Sequence, residues 1–296
     1  MWYNEVMKIV EKCGNLVLQD VCSFELFDTF ECGQCFRWRK ICENKYFGIA
    51  YGKALLIEKQ SDSVIFYDTT RKDFDEVWKD YFDFDTDYEG IKNSFSNDDI
   101  MVTAMEYGRG IRILRQEPFE ALISFIISAS NNIPRIKGIV ERLCTEFGEK
   151  KVYMGEEFYT FPTAERISRL SLEDLATIRA GFRDKYILSA AKAVSCGEIL
   201  LNDLKTAEYK TAKEELLKLK GVGNKVADCV LLFGLNKYSS FPIDVWVKRI
   251  MEYCYFNSEE KTITEIANCA KEHFGEYGGY AQQYLFFWAR ENKIGT

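Results

Sequence analysis

A lysine and an aspartate nineteen residues apart are the strongest candidates for chemistry in this sequence. Lys225 follows a Gly-x-Gly turn at 221–223 and opens the apolar run KVADCVLLF, and Asp244 lies in FPIDVW. An amine in the first turn of a helix opposes the helix dipole, which destabilises its charged form. A neutral amine attacks electrophilic carbon, and a carboxylate at a helix start is held ionised by the amide groups. The pair predicts a lysine nucleophile beside a fixed negative charge.

Each of these residues also has an ordinary structural explanation. Gly-x-Gly between two helices is most often a tight turn, although Gly221, Val222 and Gly223 would also present backbone N–H groups to a phosphate. An exposed lysine touching phosphate and an aspartate capping a helix would explain Lys225 and Asp244 without catalysis. The two residues together across one hairpin are more specific than either alone, so the catalytic interpretation is preferred.

The elements that must position this pair change character near residue 100. Residues 46–69 contain short β-rich runs broken by Gly-Lys and Ser-Asp-Ser, which is typical of antiparallel hairpins. Beyond residue 100, apolar residues recur at spacings of three and four, which predicts helices. The sequence therefore predicts an α+β fold, with an N-terminal twisted antiparallel β-sheet domain over residues 1–105 and an all-α core over residues 106–296.

Composition predicts a folded protein of a reducing compartment. Its 296 residues are 47% hydrophobic, which is enough for a sizeable core. The ten cysteines have no repeated spacing, the start of the chain lacks the apolar segment of a signal peptide, and no stretch approaches 18 uncharged apolar residues. We therefore expect a cytoplasmic protein without membrane segments, associated with the nucleoid if it is bacterial, and a monomer.

The charge distribution permits a polyanionic partner despite a net charge of −7. Residues 1–100 hold 12 Lys and Arg against 20 Asp and Glu, whereas residues 101–296 hold 27 against 26. The excess acid is therefore confined to the first third of the chain. A basic face on the remainder can still hold nucleic acid.

Four further stretches carry a family resemblance. They are ECGQCFRWRK (31–40), the segment 114–148, RAGFRDKYI (179–187) and HFGEYGGYAQQYLFF (273–287). Together with the hairpin lysine and the Gly/Pro-rich loop ending in Asp244, they resemble the 8-oxoguanine DNA glycosylases of the helix-hairpin-helix Gly/Pro-Asp superfamily, in that family's order and spacing over nearly the whole chain.

The resemblance implies a fold, an activity and a partner. It predicts a helix-hairpin-helix glycosylase core and a bifunctional DNA glycosylase/AP lyase that excises 8-oxoguanine from double-stranded DNA in base excision repair. Lys225 matches the lysine that attacks the deoxyribose C1′ of the lesion nucleotide, forming a Schiff base from which β-elimination can cut the strand. Asp244 matches the aspartate that stabilises positive charge on the sugar.

Four residues match the family's pocket for the flipped-out base. Gly33 matches the residue whose carbonyl accepts the N7–H that 8-oxoguanine has and guanine lacks, and Gln282 matches the glutamine that reads the Watson–Crick edge. Cys229 and Phe286 match the pair that sandwiches the ring. Without the resemblance, both would be assigned to the core. The CxxC of 32–35 is only superficially a redox or metal motif, because no second pair or His cluster completes a zinc site and the flanking aromatic, sheet-like sequence does not favour a thioredoxin motif.

Further residues match the family's contacts with the remaining DNA. Arg135 and Arg183 match arginines that read the orphaned cytosine, Asn132 belongs to the family's Asn-rich turn, and Phe182 takes the place of a wedging tyrosine. The hairpin residues 221–223 would hold the DNA backbone. Three positions depart from the pattern: Ser130 replaces the asparagine that fills the gap left by the flipped base, Phe182 lacks the hydroxyl, and Trp246 stands where relatives often carry histidine. Selectivity for the opposite base stays open at this point.

Neither a metal nor a cofactor is expected. The iron–sulfur members of the superfamily carry four clustered cysteines near the C-terminus, whereas Cys254 and Cys269 are isolated here, so no cluster is predicted. A metal ion bound by hairpin carbonyls would leave no mark in the sequence.

Two alternative functions compete with this interpretation. A glycosylase for alkylated purines would use the aspartate with water and would usually lack the lysine. A non-catalytic module that binds the DNA backbone would explain the glycines but leave Lys225, Asp244, Gln282 and Gly33 as coincidences.

Overall fold

An antiparallel sheet forms the centre of the N-terminal region, as seen in a computed structural model that describes residues 7–294. Its strands are β1 (Lys8–Lys12), β2 (Asn15–Gln19), β3 (Trp38–Cys42), β4 (Lys45–Ala50), β5 (Lys53–Gln60) and β6 (Ser63–Phe66). Their order across the sheet is β1-β2-β6-β5-β4-β3, and every neighbouring pair is antiparallel. The hairpins predicted over residues 46–69 are confirmed as β4, β5 and β6.

Helices make up most of the remaining described residues, and the 3–4 spacing predicted those beyond residue 100. They are α1 (Leu26–Glu31), α2 (Arg71–Asp73), α3 (Lys79–Tyr81), α4 (Tyr88–Ser94), α5 (Asp99–Tyr107), α6 (Pro118–Ser128), α7 (Ile133–Phe147), α8 (Ala164–Ser168), α9 (Leu172–Ala176), α10 (Asp184–Ser195), α11 (Leu201–Thr206), α12 (Tyr209–Leu217), α13 (Asn224–Phe233), α14 (Val245–Tyr255), α15 (Ile263–Phe274) and α16 (Gly278–Asn292). A π-helical segment, Phe74–Trp78, joins α2 to α3, and 3₁₀ turns at Gly181–Arg183 and Gly275–Tyr277 lead into α10 and α16. No helix within residues 7–294 is long and apolar enough to cross a membrane.

One element of the helical part was not predicted. Strands β7 (Lys150–Tyr153) and β8 (Glu156–Tyr159) pair as a hairpin between α7 and α8. Its tight turn places Met154 and Gly155 at positive φ, as hairpin turns of two residues require. The hairpin docks on the N-terminal sheet through Phe158, which packs with Ile49 and Ala54. Tertiary contact therefore stabilises two short, charged strands whose own pattern is weak.

The helix α1 and the loop after it contribute to two separate buried clusters. The sheet cluster is rich in aromatic rings, with Phe30 stacked on Trp38 at 4.1 Å between ring centroids. The helical cluster surrounds α6 and α13 and also takes in Cys32 and Phe36 from the loop after α1. That loop therefore leaves the sheet cluster and enters the helical core, where it can form part of a site.

The division proposed at residue 105 falls within α5. Residues from Tyr88 onward, on α4 and α5, already pack in the helical cluster. The sheet itself ends at Phe66.

Candidate active site

The turn between α12 and α13 is shaped by its two glycines. Gly221 has φ +86°, and a Cβ there would lie 2.4 Å from Cγ of Tyr186 on α10, so any larger residue would collide with the ring. Gly223 is the N-cap of α13 and provides no side chain to cap that helix. A Cβ on Gly223 would meet no atom within 4 Å. The first N–H groups of α13 thus border open space, where a phosphate can approach.

An ion pair holds the two hairpin helices together. The buried carboxylate of Asp228 accepts hydrogen bonds from Tyr209 (2.8 Å) and Lys213 (2.9 Å), both on α12. The Ser240 hydroxyl also donates to the backbone carbonyl of Asp228 (2.9 Å). These contacts fix the direction in which α13 presents its first turn. Sequence reasoning did not single out Asp228, because an aspartate in an apolar helical run has no local signature for its partners.

The amine of Lys225 projects from the first turn of α13 onto the end of α6. Its Nζ donates to the Ser128 hydroxyl at 3.1 Å and lies 5.3 Å from the centroid of the Phe125 ring. The side chain is partly buried. One turn along α13, burial raises the pKa of the Cys229 thiol to about 11, with charged Lys225 lowering it and charged Asp244 raising it. Lys225 and Asp244 therefore both lie close to a neutral thiol.

Asp244 caps the helix that follows the hairpin. It is the N-cap of α14, and its Oδ1 accepts a hydrogen bond from the Val247 N–H at 2.8 Å. This bond satisfies one of the first N–H groups of α14. The two predicted catalytic residues thus lie at the starts of two different helices, and the charges of both act on the Cys229 thiol.

The predicted base-binding residues converge from opposite ends of the chain. Gly33 has φ +82°, and a Cβ there would lie 3.1 Å from Cε1 of Phe286. Gln282 precedes Phe286 by one turn of α16, so both side chains share one face of that helix. Gln282 is 5% exposed. The close approach between the Gly33 backbone and the Phe286 ring explains why glycine is needed at this position.

A buried glutamine that sequence reasoning missed fixes the loop containing Gly33. The Gln34 side chain has no exposed surface, and its Nε2 donates to the carbonyls of Thr29 (2.8 Å) and Arg112 (2.7 Å). Its Oε1 accepts from the Leu114 N–H (2.9 Å). Two residues on, Phe36 packs edge-on against Phe125 at 5.8 Å between centroids. The loop is therefore joined to the helix that contacts Lys225.

The CxxC cysteines are buried thiols. Burial raises the pKa of Cys32 to about 12 and raises that of Cys35 well above its usual value. Neither forms a disulfide, and protonated buried thiols are poor nucleophiles. Within residues 7–294, no group of three or more His, Cys, Asp or Glu side chains is arranged to hold a metal ion.

The predicted wedge and one predicted arginine are exposed. Phe182, in the 3₁₀ turn before α10, is 57% exposed. Asn132 caps α7 by accepting the Arg135 N–H at 3.0 Å, and the Arg135 side chain is exposed. Trp246 is partly buried, with the Arg249 guanidinium 5.9 Å from its ring centroid. Phe182 and Arg135 are thus free to contact a ligand.

Arg183 is instead engaged with backbone. It is only 2% exposed, and its guanidinium donates to the carbonyls of Ala129, Ala180 and Ser130. Ser130 has φ +49°, a conformation uncommon for serine. To reach a base, Arg183 would have to give up some of these bonds.

Comparison with known proteins identifies the family. Residues 17–122 match the 8-oxoguanine DNA glycosylase N-terminal domain, and residues 123–275 match the HhH-GPD superfamily of base excision DNA repair proteins. The chain is 32% identical over 274 residues to the N-glycosylase/DNA lyase OGG1 of Arabidopsis thaliana, covering 87% of this chain and 75% of that protein. It is 31% identical over 251 residues to a probable N-glycosylase/DNA lyase of Methanothermobacter thermautotrophicus, covering 77% and 79%.

A solved structure with DNA shows the same fold. It is the 8-oxoguanine glycosylase/lyase of Clostridium acetobutylicum in complex with double-stranded DNA containing cytosine opposite to 8-oxoG. It is 41% identical to this chain, with a TM-score of 0.94, and the match covers 97% of this chain and 99% of that one. This protein therefore belongs to the 8-oxoguanine DNA glycosylases of the HhH-GPD superfamily, as its sequence motifs predicted.

Proposed function

We propose that this protein excises 8-oxoguanine from double-stranded DNA and then cleaves the abasic strand, with Lys225 as its nucleophile. The observation that carries the assignment is the position of the Lys225 amine. It projects from an uncapped helix start onto Ser128, beside the neutral Cys229 thiol and close to Asp244. A lysine used only to hold phosphate would not need this partly buried environment.

The chemistry requires an amine and a carboxylate in these positions. The Lys225 amine, having lost its proton, bonds to C1′ of the lesion nucleotide, while the bond from C1′ to N9 breaks and its electron pair leaves with the base, which is protonated. Asp244 stabilises the positive charge that develops on the sugar. Opening of the sugar gives an imine between Lys225 and C1′, and loss of a C2′ proton then expels the 3′ phosphate.

Recognition of the flipped base falls to the pocket between Gly33 and α16. The Gly33 carbonyl accepts the N7–H of 8-oxoguanine and repels the N7 lone pair of guanine. Gln282 pairs with the Watson–Crick edge, and Cys229 and Phe286 lie on the two faces of the ring. The positive φ of Gly33 and its contact with Phe286 support this assignment, because both set where the carbonyl lies.

The remaining predicted residues are proposed to hold the DNA. The N–H groups at Gly221, Val222 and Gly223 bind backbone phosphate. Phe182 fills space in the opened duplex, and Arg135 reads the unpaired base. Asn132 supports Arg135 by capping α7.

We also propose that the enzyme acts as a cytoplasmic monomer without a cofactor. Each chemical step above uses side chains of this chain alone. The last two cysteines, Cys254 and Cys269, are isolated from one another in the sequence, which does not suit an iron–sulfur cluster.

Borohydride trapping on a duplex containing 8-oxoguanine opposite cytosine tests the assignment. Reduction of the imine should attach the protein covalently to DNA. The adduct should be absent with Lys225→Gln and present with Lys271→Gln, a matched change at an exposed position of α15. Duplex binding without any adduct from the parent protein would instead indicate a water-using glycosylase or a plain DNA-binding module, and the lysine mechanism would be rejected.

A further inference from the structure

An arginine outside the predicted site lies between two of the proposed base-binding elements. Arg290 follows Phe286 by one turn of α16, and its guanidinium carbon lies 5.5 Å from the centroid of that ring. Its Nη2 donates to the Glu31 carbonyl, the last residue of α1, at 2.5 Å. The Glu291 carboxylate accepts from Nε and Nη2 at 3.0 and 2.8 Å. Arg290 therefore ties α16 to the end of α1, two residues before Gly33.

The other guanidinium nitrogen borders Gly33 itself. Nη1 of Arg290 lies 3.5 Å from the point that a Cβ on Gly33 would occupy. Nη1 is buried and has no hydrogen-bond partner among the described residues. A buried donor without a partner is costly, so packing stability alone does not account for this placement. The guanidinium therefore lies beside both the Gly33 backbone and the Phe286 ring.

We propose that Arg290 is a positioning residue that sets the Gly33 carbonyl relative to the Phe286 ring and thereby controls selection of 8-oxoguanine over guanine. This inference rests on the proposed function. In that proposal, 8-oxoguanine recognition depends on the direction of the Gly33 carbonyl and on the position of the Phe286 ring face. Arg290 contacts the backbone segment that carries the Gly33 carbonyl and lies over the Phe286 ring. A side chain that holds both can change selectivity without touching the sugar.

The role predicts a split between two activities of the same protein. Excision of 8-oxoguanine requires the base pocket, whereas cleavage at a preformed abasic site requires Lys225 but has no base to bind. Arg290→Leu should therefore slow single-turnover excision about tenfold, equivalent to about 1.4 kcal/mol. Cleavage at a preformed abasic site should stay within twofold of the parent. Arg290→Lys keeps the charge but loses the planar guanidinium, so its excision rate should lie between those of the parent and Arg290→Leu.

A matched control is available on the sheet. Arg39 is exposed, and its guanidinium carbon lies 4.8 Å from the Phe47 ring centroid. Arg39→Leu removes a similar arginine–phenylalanine contact outside the site and should alter neither activity. An equal loss of excision and abasic-site cleavage in Arg290→Leu would show a general structural effect and overturn the proposal. Unchanged excision would overturn it as well.

A substrate analogue tests whether Arg290 acts through Gly33. An 8-oxoguanine analogue in which N7–H is replaced by a carbon group cannot donate to the Gly33 carbonyl. If Arg290 positions that carbonyl, the tenfold penalty of Arg290→Leu should shrink to about twofold on the analogue, as in a double-mutant cycle. An undiminished penalty would refute this route.

Failure of this inference is distinguishable from failure of the proposed function. The function fails if the parent enzyme forms no trapped adduct or if Lys225→Gln still forms one. The inference alone fails if the parent excises 8-oxoguanine through Lys225 and Arg290→Leu matches it on both substrates.

Discussion

Replacing Gln34 by leucine tests whether its buried amide fixes the loop that presents Gly33. The change removes hydrogen bonds of 2.7–2.9 Å to the carbonyls of Thr29 and Arg112 and from the Leu114 N–H. The Thr29 carbonyl still accepts from the Cys32 thiol. The Arg112 carbonyl and the Leu114 N–H are therefore the two backbone groups counted as unpaired. At about 1–3 kcal/mol for each unpaired buried group, the free energy of unfolding should fall by about 4 kcal/mol.

Urea unfolding measures this loss directly. Gln60→Leu is the matched control, because Gln60 is exposed and its amide donates to the Glu58 side chain. That change should alter the free energy of unfolding by less than about 0.5 kcal/mol. Excision of 8-oxoguanine by Gln34→Leu should also fall more than cleavage of a preformed abasic site, since only the former uses the loop. A loss of stability below about 1 kcal/mol would refute the argument that Gln34 fixes this loop.

Two further changes test the backbone and the buried charge. Gly33→Ala should slow 8-oxoguanine excision at least tenfold, because φ is +82° and the new Cβ would meet Phe286 at 3.1 Å. Gly155→Ala is the control, since Gly155 has the same φ of +82° but a Cβ there would meet no atom within 4 Å, so this change should cost only backbone strain, about 1–2 kcal/mol of stability. Equal excision activity of the two variants would contradict the argument that contact with Phe286 requires glycine at position 33. Burial raises the pKa of Glu120 to about 7, with Arg37 lowering it and Glu117 raising it. Because the folded state then holds the proton more tightly than the unfolded state, stability should fall as pH rises from about 4.5 to 7. Glu120→Gln should remove this fall, so the free energy of unfolding of the variant, measured in urea, should rise relative to that of the parent by about 2–3 kcal/mol as pH increases from 5 to 8. Parallel pH profiles of the two proteins would show that Glu120 does not titrate in this range.

The sequence predicted the elements better than the contacts between them. Alternation and 3–4 spacing are local properties, so the hairpins of 46–69 and the helices beyond residue 100 were predictable. The contact between Gly33 and Phe286 followed only from the family resemblance, because no local pattern reports on residues so distant in the chain. The partners of Gln34 were missed for the same reason. The β7–β8 hairpin was missed because its short charged strands depend on docking to the sheet.

The two arginines predicted to read the opposite base are placed for different tasks. Arg135 is exposed and can move to a base, whereas Arg183 holds the carbonyls of Ala129 and Ser130. These two residues directly follow Ser128, whose hydroxyl accepts the hydrogen bond from Lys225. We therefore propose that reading of the opposite base falls first to Arg135. In that proposal Arg183 supports the turn that begins beside Ser128, the partner of the proposed nucleophile Lys225. Removal of Arg183 should therefore slow the reaction whichever base lies opposite the lesion.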